Sequence, residues 1–102
     1  MTEALCKLAI VCPTEVAEDI VDTLLELEPS LPGFTTFAAD GHGQDFSHAS
    51  AQEHVRGRIG RRVLWAVLAE SDVKRALEAV KARSKGAHVI YWTEPVLEYG
   101  SL

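Results

Sequence analysis

Residues 61–69 read RRVLWAVLA. Arg62, Leu64, Ala66 and Leu68 alternate with Val63, Trp65 and Val67, so a strand of this sequence is apolar on both faces. A strand covered on one side only would alternate apolar with polar residues. Residues 4–12, ALCKLAIVC, share the property: Ala4, Cys6, Leu8 and Ile10 lie on one side, Leu5, Ala9 and Val11 on the other, with Lys7 the exception. Residues 88–93, HVIYWT, make a third such run. Three strands with two apolar faces in so short a chain predict a sheet that needs cover on both sides.

The segments between these runs supply one layer of cover. Pro13 opens a helix, as proline is favoured in a first turn. Val16, Ala17, Ile20, Val21, Leu24 and Leu27 form its apolar stripe, and Glu18, Asp22 and Glu26 form its wet face. Pro29–Gly33 is a breaker. Phe34–Ala39 reads as a strand ending at Asp40-Gly41-His42-Gly43. Residues 44–58, QDFSHASAQEHVRGR, have no strong period and read as a long loop. A loop of that length inside a small domain usually serves function. After residue 69, Ser71-Asp72 is expected to cap a second helix whose face is Val73, Ala76, Leu77 and Val80. Lys81, Arg83 and Lys85 suit its C-terminal end, and Gly86 stops it. Pro95–Glu98 is a short tail or edge strand. The order β-α-β-loop-β-α-β predicts an α+β, ferredoxin-like fold: one antiparallel sheet with both helices on one face. The other face, apolar and without a helix, predicts a second copy as partner.

The chain has 102 residues, 47% hydrophobic and 25% charged. That is one domain's worth and excludes a disordered chain. No apolar run approaches the ~20 residues that span a bilayer. Met1-Thr2-Glu3 shows no basic region before an apolar stretch, so no signal peptide is expected. Cys6 and Cys12 on one strand would lie ~20 Å apart, beyond the ~7 Å a disulfide tolerates. Free thiols and a cytoplasmic location follow as expectations.

Charge is unevenly placed. Residues 1–54 hold ten acids against one base, a charge of −9; residues 55–102 hold five acids against nine bases, a charge of +4. An acidic chain is a poor general binder of nucleic acid, and none is expected as a partner. The cluster Arg56, Arg58, Arg61 and Arg62 suits a small anion. His42, His48 and His54, with Asp40, Asp45 and Glu53 nearby, offer imidazoles and carboxylates that suit Zn²⁺, Cu²⁺ or Ni²⁺. No pair has the spacing that places two histidines on one helix face. Cys12 stands alone where a chelating pair would need a second thiol. Beside a helix N-terminus its thiol pKa could be lowered, although a small apolar strand-end residue is the plainer reading. No nucleophile, base and orienting acid fall together on rigid elements, so the chain reads as a non-enzyme.

The run Gly33-Phe34-Thr35-Thr36-Phe37, the turn Asp40-Gly41-His42-Gly43, the following loop and Arg61-Arg62-Val63 form a recognisable series. With the ending from Val89 to Gly100, VIYWTEPVLEYG, it resembles the PII-like superfamily. Within it the chain is most similar to the small PII-like proteins found beside heavy-metal efflux pumps of the resistance-nodulation-division type, a family catalogued as a domain of unknown function. The resemblance spans residues 1–102 and implies one PII-like domain, a homotrimer with ligand sites between subunits, and a T-loop at about 44–58 that contacts a membrane transporter. It implies that Gly41, His42, Gly43, Gln44, Arg56, Arg58 and Lys85 line the ligand. The chain departs from the PII pattern in three places. Ser84-Lys85-Gly86-Ala87 replaces a glycine-rich loop, Gln44 stands in place of an arginine, and Glu98-Tyr99-Gly100-Ser101-Leu102 replaces a basic ending. The ligand it implies is a nucleotide such as ADP or AMP, bicarbonate, or a metal ion, and no resident cofactor is named. Two functions compete: a trimeric signalling protein that modulates transport, and a metal-buffering protein of a resistance system that uses His42, His48 and His54.

Overall fold

The computed structural model describes residues 3–43, 59–85 and 87–102. Six elements run in the order β1 (Leu5–Pro13), α1 (Thr14–Leu25), β2 (Thr35–Gly41), β3 (Ile59–Ala69), α2 (Glu70–Arg83) and β4 (Ile90–Pro95). The strands form one antiparallel sheet in the order β2-β3-β1-β4. This is the expected α+β ferredoxin-like arrangement. Of the three strands read as apolar on both faces, β1 and β3 take the two central places, whereas the third, β4, lies at an edge and finds no cover in a single copy. β2 and β4 form the edges, and every residue of β4 is exposed.

Register explains which apolar set goes where. Leu8 faces Ala66, Ile10 faces Leu64 and Cys6 faces Leu68. These side chains point to the helices, where Ile20 and Leu24 of α1 and Val73, Ala76 and Val80 of α2 complete the core. Leu8 is fully buried and Ile10, Ile20 and Leu68 nearly so. Each such side chain contributes ~1.5–3 kcal/mol relative to leaving it in water. The alternate set, Lys7, Ala9 and Val11 of β1 with Val63, Trp65 and Val67 of β3, lies on the face without helices. On that face Phe37 of β2 meets Trp65 edge-on, ring centroids 4.8 Å apart. The Lys7 ammonium stands 3.9 Å over the Trp65 ring and 3.8 Å from a Glu94 oxygen. That carboxylate accepts a 2.8 Å hydrogen bond from the Trp92 indole N–H. The series crosses all four strands and leaves Trp65, Trp92 and Ile90 about two-fifths exposed.

Helix ends differ from expectation, each for a physical reason. Pro13 is the last residue of β1 and the N-cap of α1, extended at φ −58°, ψ 144°, so the helix begins at Thr14. Ala69, rather than Ser71, is the N-cap of α2. The cap is supplied from the start of the chain. Glu3 accepts the Ser71 backbone N–H at 2.9 Å and the Ser71 hydroxyl at 2.8 Å. The Ala4 carbonyl takes the Glu70 N–H at 3.3 Å. Asp72 instead binds Arg75 one turn on, at 2.8 Å. β4 starts at Ile90, two residues later than expected, where its pairing with Val11 of β1 begins. Pro95 belongs to β4, and the residues after it form no strand.

Replacing Glu3 by alanine removes both acceptors from the α2 first turn. The expected loss is ~1 kcal/mol, the usual cost of a deleted cap, or a fall of roughly 4–8 °C in Tm for a domain this size. Differential scanning calorimetry of Glu3→Ala beside Glu3→Gln, which keeps one acceptor and loses less, checks it.

Candidate functional site

Antiparallel pairing brings four chain ends together. Pro13 at the end of β1 faces Arg61 near the start of β3, and Val11 faces Ile90 at the start of β4. Gly41 at the end of β2 faces Ile59. One end of the sheet therefore carries the β2 terminus, the α1 N-terminus, the β3 start and the residues between α2 and β4. Of the sequence-predicted ligand residues, Gly41, His42, Gly43 and Lys85 are found here. Gln44, Arg56 and Arg58 lie outside the described residues, as do His48, His54 and the expected T-loop. Gly43 has a positive φ of 114°, and a Cβ there would meet nothing within 4 Å. Glycine is thus required by backbone conformation, not by lack of room.

Two clefts open at this end, on the helix side of the sheet. The larger, about 590 Å³, lies between α1 and strands β1, β2 and β3. Its polar lining comes from Thr14, Glu15, Glu18, Thr36 and Arg62, and its floor from Ile10 and Leu64. Arg62 projects to the helix side and donates from Nη2 to the Thr36 hydroxyl at 3.2 Å. The partner of Arg62 is thus a hydroxyl. The guanidinium stands in the cleft lining, where it can donate to a small anion. Arg61, one residue earlier, points to the opposite face and is only 4% exposed. The second cleft, about 460 Å³, lies between the C-terminal part of α2, β1 and β4, with Leu77, Val80, Val89 and Tyr91 as walls and Lys81 and Lys85 at the rim. Gly41–Gly43 and Lys85 share an end of the sheet but sit at opposite edges. Three strand spacings separate those edges, ~14 Å.

Cys12 lines the larger cleft but is 4% exposed. Its thiol lies 3.7 Å from the Arg62 carbonyl oxygen, to which it points. Burial raises its pKa above the ordinary thiol value, and the neighbouring charges of Arg61 and Arg62 offset this only in part. The lowered pKa considered from the position beside a helix N-terminus is thus corrected: desolvation outweighs the charges. Both cysteines are free. Among the described residues no three His, Cys, Asp or Glu side chains gather closely enough to hold a metal ion. Of the predicted metal set only His42 is described.

Sequence reading missed Thr36 and the cleft beside it. Thr36 and Arg62 are 26 positions apart and meet only through the β2–β3 register, in which Ala38 faces Arg62 and Thr36 faces Leu64. No local signal marks such a pair.

The sheet order, the helices on one face and the glycine turn at the β2 terminus define a PII-like fold. The chain matches along residues 1–102 the model of a family described as protein of unknown function DUF3240. It belongs to the DUF3240 family. A solved DUF3240 family protein of Shewanella baltica OS155 superposes with a TM-score of 0.78 at 23% identity, covering 99% of both chains. CPII of Thiomonas intermedia K12, a nitrogen regulatory PII-like protein solved with ADP, AMP and bicarbonate, gives 0.69 at 17% identity over 96% of both chains. A candidate PII-like signalling protein of Thermus thermophilus gives 0.63 at 21% identity, covering 94% of this chain and 91% of its own. No curated protein matches the chain.

The Cys12 thiol should react slowly. Alkylation by iodoacetamide followed by mass spectrometry should label Cys6 well before Cys12 at pH 8. Because the folded state holds this thiol neutral, the contribution of Cys12 to stability is intact below the ordinary thiol range near ~8.5. It is lost as pH rises through the raised folded-state value, since the unfolded chain ionises first. Urea midpoints measured from pH 7 to 10 should fall at the alkaline end, and the Cys12→Ala variant should lose that part of the slope.

Proposed function

We propose that the chain is a single-domain PII-like regulatory protein. It assembles as a homotrimer, takes a small ligand at clefts between copies, and acts from the cytoplasm on a membrane transporter through a T-loop at residues 44–58. The observation that carries this reading is the gathering of Gly41–Gly43, Arg62 and Lys85 at one end of the sheet, Arg62 and Lys85 each in the lining of an open cleft. The opposite sheet face leaves Trp65 and Trp92 partly exposed, a surface suited to a second copy. The ligand residues are Gly41, His42, Gly43, Gln44, Arg56, Arg58 and Lys85, with Arg62 added. Their cations and glycine backbone suit an adenine nucleotide or bicarbonate, the ligands with which the Thiomonas protein was solved. The Shewanella relative supports the fold assignment, and the efflux-linked role rests on the sequence resemblance alone.

Metal buffering by His42, His48 and His54 is the competing reading. A thermal-shift panel with ADP, AMP, bicarbonate and Zn²⁺ separates the two, since a ligand of the native state raises Tm. The regulatory reading expects a rise with a nucleotide or bicarbonate that Arg62→Ala abolishes. A rise with Zn²⁺ alone, lost in His42→Ala with His48→Ala, would replace it.

Two variants address assembly and the loop. Trp65→Glu puts a charge on the uncovered face without entering the core. It should keep the circular dichroism spectrum of the parent while light scattering falls from trimer to monomer. A parent that is monomeric at micromolar concentration removes the trimer. Deletion of residues 46–55 should leave mass and Tm nearly unchanged, because loop length enters stability only logarithmically, while transporter co-purification is lost.

A further inference from the structure

The cleft between α1 and strands β1, β2 and β3 combines an aliphatic body with charges of both signs. Ile10, Ile20 and Leu64 make its floor, and Val21 of α1, half-buried, is part of its wall. None of the lining residues is aromatic. Arg62 stands on the strand side. Glu15 and Glu18, one helical turn apart, stand on the α1 side. The charges of Arg62 and Glu15 both reach the Cys12 thiol, so they share one end of the cleft. Among the described residues no ion pair joins Arg62 to either carboxylate. The guanidinium donates to the Thr36 hydroxyl instead, which leaves it further N–H donors. Opposite charges that line one cleft without closing on each other suit a ligand that carries both. At about 590 Å³ the cleft falls within the ~300–1,000 Å³ of small-molecule sites.

We propose that this cleft, built by a single copy, binds an aliphatic α-amino acid of the leucine, isoleucine or valine type. The carboxylate takes the Arg62 guanidinium, the ammonium lies against Glu15 and Glu18, and the branched side chain rests on the aliphatic floor. A simple carboxylate would leave the two glutamates unanswered, and a simple amine would leave Arg62 so. Bicarbonate would occupy the Arg62 end and leave the aliphatic body empty. An aromatic side chain would find no ring in the lining to stack on. The inference goes beyond the regulatory reading, because it adds an effector of another class at a site that needs no neighbouring copy. The two readings share Arg62, so an amino acid in this cleft competes with any bicarbonate held by that guanidinium.

Calorimetric titration of the full chain tests the site. Leucine is compared with 4-methylpentanoate, which lacks the amine, and with 3-methylbutylamine, which lacks the carboxylate. Leucine should bind roughly tenfold more tightly than either. Glu15→Gln with Glu18→Gln should abolish its advantage over 4-methylpentanoate. Val21→Phe fills the cleft and should remove leucine binding while the nucleotide or bicarbonate shift stays. Should Val21→Phe not fold, the two glutamine changes, at exposed positions, carry the test. Alkylation gives a local readout: leucine should slow the reaction of Cys12 with iodoacetamide and leave that of Cys6 unchanged. Analogues that bind the parent as tightly as leucine, or leucine binding unaltered in the variants, overturn the proposal. So does the absence of heat with leucine, isoleucine and valine at millimolar concentration, which leaves the regulatory reading standing. Loss of every nucleotide and bicarbonate shift, with leucine binding and Cys12 protection intact, does the reverse.

Discussion

The burial of β1 on both sides is the constraint from which the other contacts follow. Leu8 and Ala9 are adjacent, point to opposite faces, and are both wholly inaccessible. Such a pair is possible only in a central strand with side chains stacked above and below. Pairing Leu8 with Ala66 and Ala9 with Trp65 sets the β3 register, and β3 in turn sets β2. A slip by one residue would exchange the core set for the outer set along the whole strand. It would also carry Lys7 into the core, where an unpaired ammonium is strongly disfavoured. Lys7 therefore acts as a register pin. On its proper side it finds the Trp65 ring and the Glu94 carboxylate.

The two faces of the sheet obey different chemistry. The helix side is aliphatic beneath the helices, with the two clefts open at one end. The other side is aromatic and ionic, with polar groups answered by neighbours: indole N–H by carboxylate, ammonium by ring. Such a surface tolerates water, which is why the single copy can fold, yet it leaves Trp65 and Trp92 partly uncovered. Aromatic residues with satisfied polar tips are typical of surfaces that are later covered by protein.

Element order was legible because the signal lies in short-range patterns: double-sided apolar runs at 4–12 and 61–69, and helical stripes at 16–27 and 73–80. What escaped were partnerships across long separations. Ser71 looks like a helix cap by local rule, but its cap is Glu3, 68 positions away. The Arg62–Thr36 bond requires knowing the β2–β3 register. The direction of the Cys12 pKa depends on burial, which a helix N-terminus in the sequence does not reveal. Of the predicted site, the glycine turn and Lys85 were placed at a common end of the sheet by strand direction alone. Their separation across three strands needed the sheet order.

That sheet order bears on the nascent chain. β1 emerges from the ribosome first, yet its two pairing partners, β3 and β4, come from residues 59–69 and 90–95. At ~5–20 residues per second, the stretch ALCKLAIVC waits several seconds with two apolar faces and no ladder. Local contacts cannot shelter it, because α1 covers one side only. The protein is thus exposed to aggregation chiefly during its own synthesis, and co-expressed chaperones should improve soluble yield more than any change at the surface of the finished molecule.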